Sequence, residues 1–344
     1  MDLLQQLKDN SVYVKGAAAV AIPISLLGIY GIHNLLTRNA ENSKRPGRGK
    51  ECSYLLNDSW REIHQSLTEN SQVKENILKN ISEMRTKNDT TLNILLLGQA
   101  GSGKSSFVNA CLTALLQEGR VIKRAAVGAV GSESITERVN SYQLEIKTGG
   151  ITKHLPVKLF DIRGLFKGNK GVRTEDIKKI CEGHIKAGYL IDPKEGIKSD
   201  DKKCCQEPPK KGKIHCIVYV LAADEDGFVQ DEVLDQFKTI KKICKEDIPQ
   251  LILLTKIDRL GNNDITQIFR DKRAKESCEQ AANFLSLCPN DVFPQSSYND
   301  EVVPCDYKDL ITLFNIKTIM ERANDWLKIP DLSRDDSLQD EITT

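Results

Sequence analysis

The stretch LNILLLGQAGSGKSSFVNA, residues 92–110, constrains the fold of this chain more than any other feature. A short aliphatic run, which is typical of a strand buried within a parallel sheet, leads directly into a glycine-rich loop. The loop has the spacing Gly-x-x-x-x-Gly-Lys-Ser, and the residues after it have helical spacing. Strand, glycine loop and helix together form the context of a phosphate-binding loop.

Backbone N–H groups of such a loop and the positive end of the following helix surround phosphate groups. We expect Lys104 to reach the terminal phosphates and the Ser105 hydroxyl to bind Mg²⁺. The alternative is an ordinary glycine turn, which is disfavoured because a buried-strand pattern precedes the loop and a helical pattern follows it. The chain is therefore predicted to bind a nucleoside triphosphate through Gly98, Gly101, Ser102, Gly103, Lys104, Ser105 and Ser106.

Composition narrows the classes of function. The 344 residues carry 49 basic and 48 acidic side chains, so no strong field favours nucleic acid, and we predict no nucleic-acid partner. The 10 cysteines include no CxxC pair, which argues against zinc ligation and against a disulfide framework. Thiols in a reducing compartment fit this pattern best.

Residues 1–37 contain a window without Asp, Glu, Lys or Arg that runs from residue 16 to residue 37. Its length matches the roughly 20 residues that cross a bilayer as a helix. Basic residues follow the window, so we predict a membrane anchor over 16–36 with the rest of the chain in the cytosol. A cleaved signal peptide, a buried core helix and a re-entrant segment remain alternatives.

Residues 38–87 are predicted to form a basic linker followed by an amphipathic helix. Over 59–85, apolar side chains recur at helical spacing, with an interruption near Asn70. Packing of this helix on its own domain is favoured over binding of a partner. The apolar positions are Trp60, Ile63, Leu67, Val73, Ile77, Ile81 and Met84.

Residues 88–328 alternate between strand and helix patterns. This order predicts an α/β fold with a doubly wound, mostly parallel sheet and ligands at the carboxyl ends of the strands. Residues 166–212 interrupt the alternation as a partly helical insertion that leads into a mobile loop, and 329–344 is predicted to be an acidic disordered tail. Further strands are expected at 142–147, 155–161, 214–224 and 250–255, and helices near 229–246, 270–286 and 307–327.

Two short strings follow strands of this domain. At Asp161-Ile162-Arg163-Gly164, Asp161 is expected to hold Mg²⁺ through water, and the Gly164 N–H to sense the terminal phosphate. Between the phosphate loop and Asp161 a threonine should close over the metal. Thr136 is our choice, ahead of Ser132 and Ser134.

The second string, Thr255-Lys256-Ile257-Asp258, follows the strand at 250–255. Guanine presents two adjacent donors, N1–H and the exocyclic amine, and one carboxylate accepts both. Because adenine lacks the N1–H, Asp258 is predicted to select guanine, with the Lys256 stem packed along the base. Thr255 stands where Asn is commoner.

Leu165 follows Gly164, where Ras-like enzymes carry a Gln that orients the attacking water. Leucine orients no water, so slow hydrolysis is predicted and no catalytic residue is assigned. Arg163 lies within the Asp161–Gly164 string, and its position there gives no geometric reason to assign it as a stabiliser of the charge that develops during hydrolysis. His154, His184 and His215 are expected in surface or packing roles.

The strings NILLLGQAGSGKSSFVNA, LFDIRGL, GHIKAGYLIDP, KIHCIVYVLAAD, IPQLILLTKID and YNDE resemble the interferon-induced protein 44 family of vertebrate GTP-binding proteins. The resemblance covers roughly 88–328. It implies a cytoplasmic domain that binds GTP or GDP with Mg²⁺ and is induced in antiviral responses. It also implies that the backbone of Ser296 or Ser297, in the last strand-end loop, contacts the base.

Three functions remain open at this point. The chain is a slow GTPase, a nucleotide-gated scaffold associated with a membrane, or, ranked last, a P-loop kinase for a small substrate. The kinase hypothesis leaves Thr255–Asp258 without a role. An unidentified protein partner or self-association is expected to supply any useful rate of hydrolysis.

Overall fold

Strand β1, Leu92–Gly98, is the centre of the fold, and every one of its residues is buried. In this computed structural model, the described residues are 55–61, 71–127, 136–166, 171–209, 212–223, 231–244, 248–260 and 264–329. The predicted anchor over 16–36, its linker and the tail from 330 onward lie outside them. Within those ranges, no helix has the length and apolar character needed to cross a bilayer.

The described strands form one six-stranded sheet in the order β2-β3-β1-β4-β5-β6. Strands β1, β3, β4, β5 and β6 run parallel, while β2 pairs antiparallel with β3 at the edge. Gly149 and Gly150 join β2 to β3 with positive φ angles, as a tight hairpin turn requires. The remaining bounds are β2 Asn140–Thr148, β3 Ile151–Asp161, β4 Cys216–Ala222, β5 Gln250–Thr255 and β6 Val292–Pro294.

Helices cover both faces of the sheet, because the central strands are apolar on both sides. One face carries α1, Ser71–Glu83, α2, Lys104–Leu116, and α6, Asp306–Lys328. The other face carries α3, Thr174–Cys181, α4, Asp231–Ile243, and α5, Lys272–Leu285. The predicted doubly wound α/β architecture is confirmed for this part of the chain.

The helix predicted over 59–85 needs correction at its start. Trp60 does not belong to the amphipathic helix. The N–H groups of Leu56 and Trp60 donate to the carbonyls of Arg270 and Phe269, respectively, and these bonds hold residues 55–61 in a non-helical conformation. Of the predicted helix 59–85, α1 is the part that the structure describes as helical, and it packs on its own domain through Leu78 and Ile81.

The described part of the insertion is not a free loop. After α3, it buries Ile185, Tyr189, Ile191 and Ile197 in the core below the sheet. The N–H of Val139 donates to the Tyr189 carbonyl, and the N–H of Ile191 donates to the Glu137 carbonyl. The insertion therefore holds the segment that follows Thr136.

Candidate functional site

The glycine loop lies between β1 and α2 as predicted, and two of its glycines are required by close packing. A Cβ on Gly98 would lie 2.3 Å from the Val220 carbonyl oxygen of the neighbouring strand. Gly103 has φ +100°, and a Cβ there would lie 3.2 Å from the Thr255 Oγ1. Because α2 begins at the next residue, the N–H groups of its first turn and its positive end face the loop.

Lys104 is buried within this loop. Its Nζ donates to the carbonyl oxygens of Gly98, at 3.1 Å, and Gln99, at 3.0 Å. Burial lowers the pKa of Lys104, and the nearby charge of Asp161 opposes that effect. The ammonium group is thus held at the centre of the loop, where a phosphate oxygen would find a charged donor.

Ser105 and Asp161 form the second part of the site. The Ser105 hydroxyl donates to Asp161 Oδ2 at 2.6 Å, while Oδ1 is buried with no hydrogen-bond partner among the described residues. Burial raises the pKa of Asp161, against the effects of Lys104 and of the Ser105 hydrogen bond. A hydroxyl and a carboxylate with an unused oxygen are hard ligands of the kind that Mg²⁺ prefers, so these residues fit that ion.

The turn after Asp161 contacts the glycine loop directly. A Cβ on Gly164 would lie 2.5 Å from the Ala100 nitrogen, so only glycine fits there. The Leu165 N–H donates to the Gly98 carbonyl at 3.0 Å, and the Ala100 N–H donates to the Leu165 carbonyl at 3.3 Å. These two bonds direct the Leu165 side chain into the apolar core, where it is 0% exposed.

Thr255 supports the glycine loop, in addition to the base-binding role that the sequence suggested. Its Oγ1 lies 2.5 Å from the Ser102 carbonyl and 3.0 Å from the Leu221 carbonyl. The hydroxyl is therefore directed at the loop and at β4. Lys256 follows with φ +56°, which turns the chain away from β5 into a 3₁₀ helix that contains the half-buried Asp258.

The loop after β6 lies beside this turn. The Gln295 N–H donates to the Leu254 carbonyl at 2.8 Å, and the Ile257 N–H donates to the Gln295 carbonyl at 3.5 Å. Ser296 is fully buried and Ser297 is half-buried, and neither hydroxyl has a hydrogen-bond partner in the described part of the chain. The predicted base-contacting segments thus adjoin each other.

The remaining predicted residues lie on the same loop or close to it. Gly101 is exposed with φ +74°, Ser102 is buried, and Ser106 is half-buried in the first turn of α2. Thr136 is half-buried and immediately precedes the segment held by the insertion. Ser132 and Ser134 lie outside the described residues.

Asn109 is a supporting residue that the sequence analysis missed. Its Oδ1 accepts hydrogen bonds from the N–H groups of Arg124 and Ala125, and its Nδ2 donates to the Ala125 carbonyl. These bonds fix residues 124 and 125, which follow α2 in the sequence. An Asn in the interior of an apolar helix was the available signal, because such a residue favours bonds to nearby backbone groups.

The three histidines within the described ranges have packing or surface environments. His215 is buried, and its Nδ1 accepts the Asn93 N–H at 2.8 Å. Burial lowers its pKa to about 4, so the ring is neutral at neutral pH. His184 Nδ1 lies 2.7 Å from the Cys205 carbonyl, and His154 is exposed.

Comparison with known proteins confirms the resemblance to interferon-induced protein 44. Proteins of that name from Homo sapiens and Pan troglodytes are 28% identical over 255 residues, which are 73% of this chain and 56% of theirs. The Mus musculus protein is 29% identical over 239 residues, 68% of this chain and 55% of its own. The chain thus spans about half the length of the curated relatives that it matches.

Two further comparisons gave matches. The family model described as "Protein of unknown function (DUF815)" matches residues 56–134. Toc33 from Arabidopsis thaliana, as a dimerization-deficient mutant, is 15% identical with a TM-score of 0.41 and covers 76% of this chain and 96% of its own. A Toc33 structure in complex with GDP and Mg²⁺ has 15% identity and a TM-score of 0.39, and covers 75% and 97%.

Proposed function

We propose that the chain is a guanine-nucleotide-binding protein that binds GTP or GDP with Mg²⁺. One observation carries this proposal: segments that are far apart in sequence contact each other at the carboxyl edge of the sheet. Asp161 bonds to Ser105, Gly164 packs on Ala100, and Thr255 bonds to Ser102. This is the edge at which α/β proteins bind their ligands.

Phosphate binding is the role of the glycine loop in this proposal. Lys104 supplies a buried positive charge, and the N–H groups at the start of α2 supply donors. Ser105 and Asp161 would hold Mg²⁺, with Thr136 as a third ligand from the segment that the insertion supports. When bound, the metal neutralises charge on the phosphate oxygens.

Guanine selectivity is assigned to Asp258. Its turn lies directly after Thr255, and the loop of Ser296 and Ser297 is bonded beside it through Gln295. A carboxylate that accepts two hydrogen bonds from guanine N1–H and N2–H finds no equivalent pair on adenine. The same carboxylate disfavours the P-loop kinase hypothesis, because an ATP-dependent kinase has no use for it.

Hydrolysis is proposed to be slow. The Leu165 side chain is packed in the core and presents no polar group to an attacking water. A nucleotide-gated scaffold is the second candidate function, and the buried Leu165 favours it over a fast GTPase. Single-turnover phosphate release on the purified chain separates the two, since a scaffold retains bound GTP.

The cellular setting extends the proposal. The name of the curated relatives supports an interferon-induced protein, and we propose a role in the antiviral response. The apolar window at 16–36 supports attachment to a membrane, with the nucleotide domain in the cytosol. A protein partner or a second copy of the chain would supply any polar group that accelerates hydrolysis.

Equilibrium titration of the full chain with GTP, GDP and ATP in the presence of Mg²⁺ tests the nucleotide assignment. We expect GTP and GDP to bind more tightly than ATP. Lys104→Ala should abolish triphosphate binding, while its circular dichroism spectrum matches that of the wild type. Equal affinity for ATP and GTP would refute guanine recognition, and full affinity in a folded Lys104→Ala protein would refute the phosphate site.

A further inference from the structure

The loop after β6, residues 295–305, which we call the base loop, is attached to helix α1 by a short chain of polar contacts. We propose that Tyr298 is a positioning residue for base recognition, and that Lys74 on α1 holds it in place through Asp309. The inference rests on the proposed guanine-nucleotide site. It adds that a helix outside the nucleotide-binding loops sets the affinity for the base.

Tyr298 follows the two serines of the base loop, and its hydroxyl is saturated with partners. The hydroxyl donates to Asp309 Oδ1 at 2.8 Å and accepts the Cys305 N–H at 2.9 Å. Its oxygen also lies 3.1 Å from the Cys305 carbonyl. The ring is 8% exposed and packs with Ala110 of α2 and with Val121. Tyr298 thus fixes both the start and the end of the segment 298–305.

Asp309 connects Tyr298 to α1. Its side chain is buried, and while Oδ1 accepts from Tyr298, Oδ2 accepts from the Lys74 Nζ at 2.9 Å. The same ammonium group donates to Asp306 Oδ1 at 2.9 Å. A buried carboxylate needs a paired, hydrogen-bonding partner, and Lys74 is the basic group that pairs with Asp309 and holds it in place.

The base loop has a second attachment to α6, through Lys308 and Glu301. Lys308 Nζ donates to Glu301 Oε1 at 2.6 Å, and Glu301 Oε2 accepts the Asn299 N–H at 2.7 Å. The Ser297 carbonyl lies 3.4 Å from the same Lys308 Nζ. Hydrogen bonds to Lys308 and to the backbone outweigh burial and lower the pKa of Glu301 to about 2. The loop is therefore held in one conformation by the first turns of α6.

The position of the base loop affects base recognition, because Ser297 adjoins Tyr298 and Gln295 is bonded to the turn that contains Asp258. The Gln295 carbonyl accepts the Ile257 N–H, so a shift of the base loop moves the surroundings of Asp258. The phosphate groups are held elsewhere, by Lys104 and the glycine loop. Loss of the Tyr298 hydroxyl should therefore weaken binding of the base and leave binding of the phosphates unchanged.

Calorimetric titration of full-length variants with Mg²⁺-GTP and with Mg²⁺-tripolyphosphate, which has no base, tests the inference. Tyr298→Phe keeps the ring packing and should weaken GTP about three- to tenfold, with tripolyphosphate affinity within about twofold of the wild type. Lys74→Met should act in the same direction. It is the second variant if Tyr298→Phe unfolds, because Lys74 lies on α1, outside the base loop.

Matched controls lie on the same two helices. Tyr307→Phe removes a buried hydroxyl that has no hydrogen-bond partner in the described structure, and Lys79→Met removes an exposed lysine of α1. Both should retain wild-type affinity for GTP. Wild-type GTP affinity in both Tyr298→Phe and Lys74→Met, or an equal loss for GTP and tripolyphosphate, overturns the inference. A wild-type chain that binds GTP no better than tripolyphosphate overturns the proposed base site itself.

Discussion

Substitution of Leu165 by Gln is the sharpest test of the site geometry. By position in the sequence, a glutamine here would restore the residue that orients water in Ras-like enzymes. The structure predicts the opposite outcome. Both backbone groups of Leu165 are bonded to the glycine loop, and its side chain lies in the core cluster that also contains Leu95 and Leu97 of β1 and Ile177 of α3.

The magnitude follows from that burial. The leucine side chain contributes about 1.5–3 kcal/mol by its removal from water. A glutamine amide in the same place would lack hydrogen-bond partners, at a cost of about 1–3 kcal/mol. Leu165→Gln should therefore lower the free energy of unfolding by about 2.5–6 kcal/mol, a large part of the total for a typical domain.

Urea denaturation and single-turnover phosphate release measure the two consequences. Leu165→Met is the control, because a swap that conserves volume costs less than about 1.5 kcal/mol. We expect the Gln variant to be strongly destabilised and to hydrolyse GTP no faster than the wild type. A Gln variant with wild-type stability and faster phosphate release would show that this side chain reaches the nucleotide, and the geometry argued above would be wrong.

Three further outcomes are expected. Asp258→Asn should lower the preference for GTP over ATP by about ten- to a hundredfold in parallel titrations, whereas Asp325→Asn, on the exposed end of α6, should not change it. Because the pKa of His215 is about 4 in the fold and 6.5 outside it, the unfolded chain binds a proton first as pH falls. Stability should drop between pH 6.5 and 4, by at most about 3 kcal/mol in urea denaturation, and His215→Gln should remove this part of the pH dependence. The full chain, unlike a chain starting at residue 40, should resist carbonate extraction from membranes; its release into the soluble fraction would contradict the anchor.

The strands that sequence predicted best are those buried on both faces. The bounds of β5, Gln250–Thr255, match the prediction, because a continuous aliphatic run bounded by polar residues leaves little freedom. The strand β3 was predicted from residue 155, but it begins at Ile151, because residues 151–154 form the exposed half of an edge hairpin. Strand β6 has three residues, which are too few to show the alternation of apolar and polar side chains that indicates a strand.

The placement of candidate site residues could be predicted where it depends only on the neighbouring sequence. Spacing alone placed Lys104 in the glycine loop and Asp161 at a strand end, and the structure has both in these places, with Asp161 bonded to Ser105. The support given by Thr255 to the loop was missed, because the two segments are 153 residues apart. The burial of Leu165 was also hidden, since it depends on a backbone bridge rather than on a pattern.

The polar groups of this site bond to one another, and that fact bears on how a nucleotide would act as a switch. Lys104 bonds to loop carbonyls, Ser105 bonds to Asp161, and the Ala100 N–H bonds to Leu165. A phosphate oxygen that accepts from the Ala100 N–H competes with the Leu165 carbonyl. Its binding free energy therefore includes the loss of a bond that holds the turn after Asp161. A partner that binds only when this turn has moved away from the glycine loop would therefore raise the affinity for phosphate. Because linkage is reciprocal, bound phosphate would raise the affinity for that partner by the same factor. Typical couplings of about 1–3 kcal/mol correspond to about 5- to 150-fold.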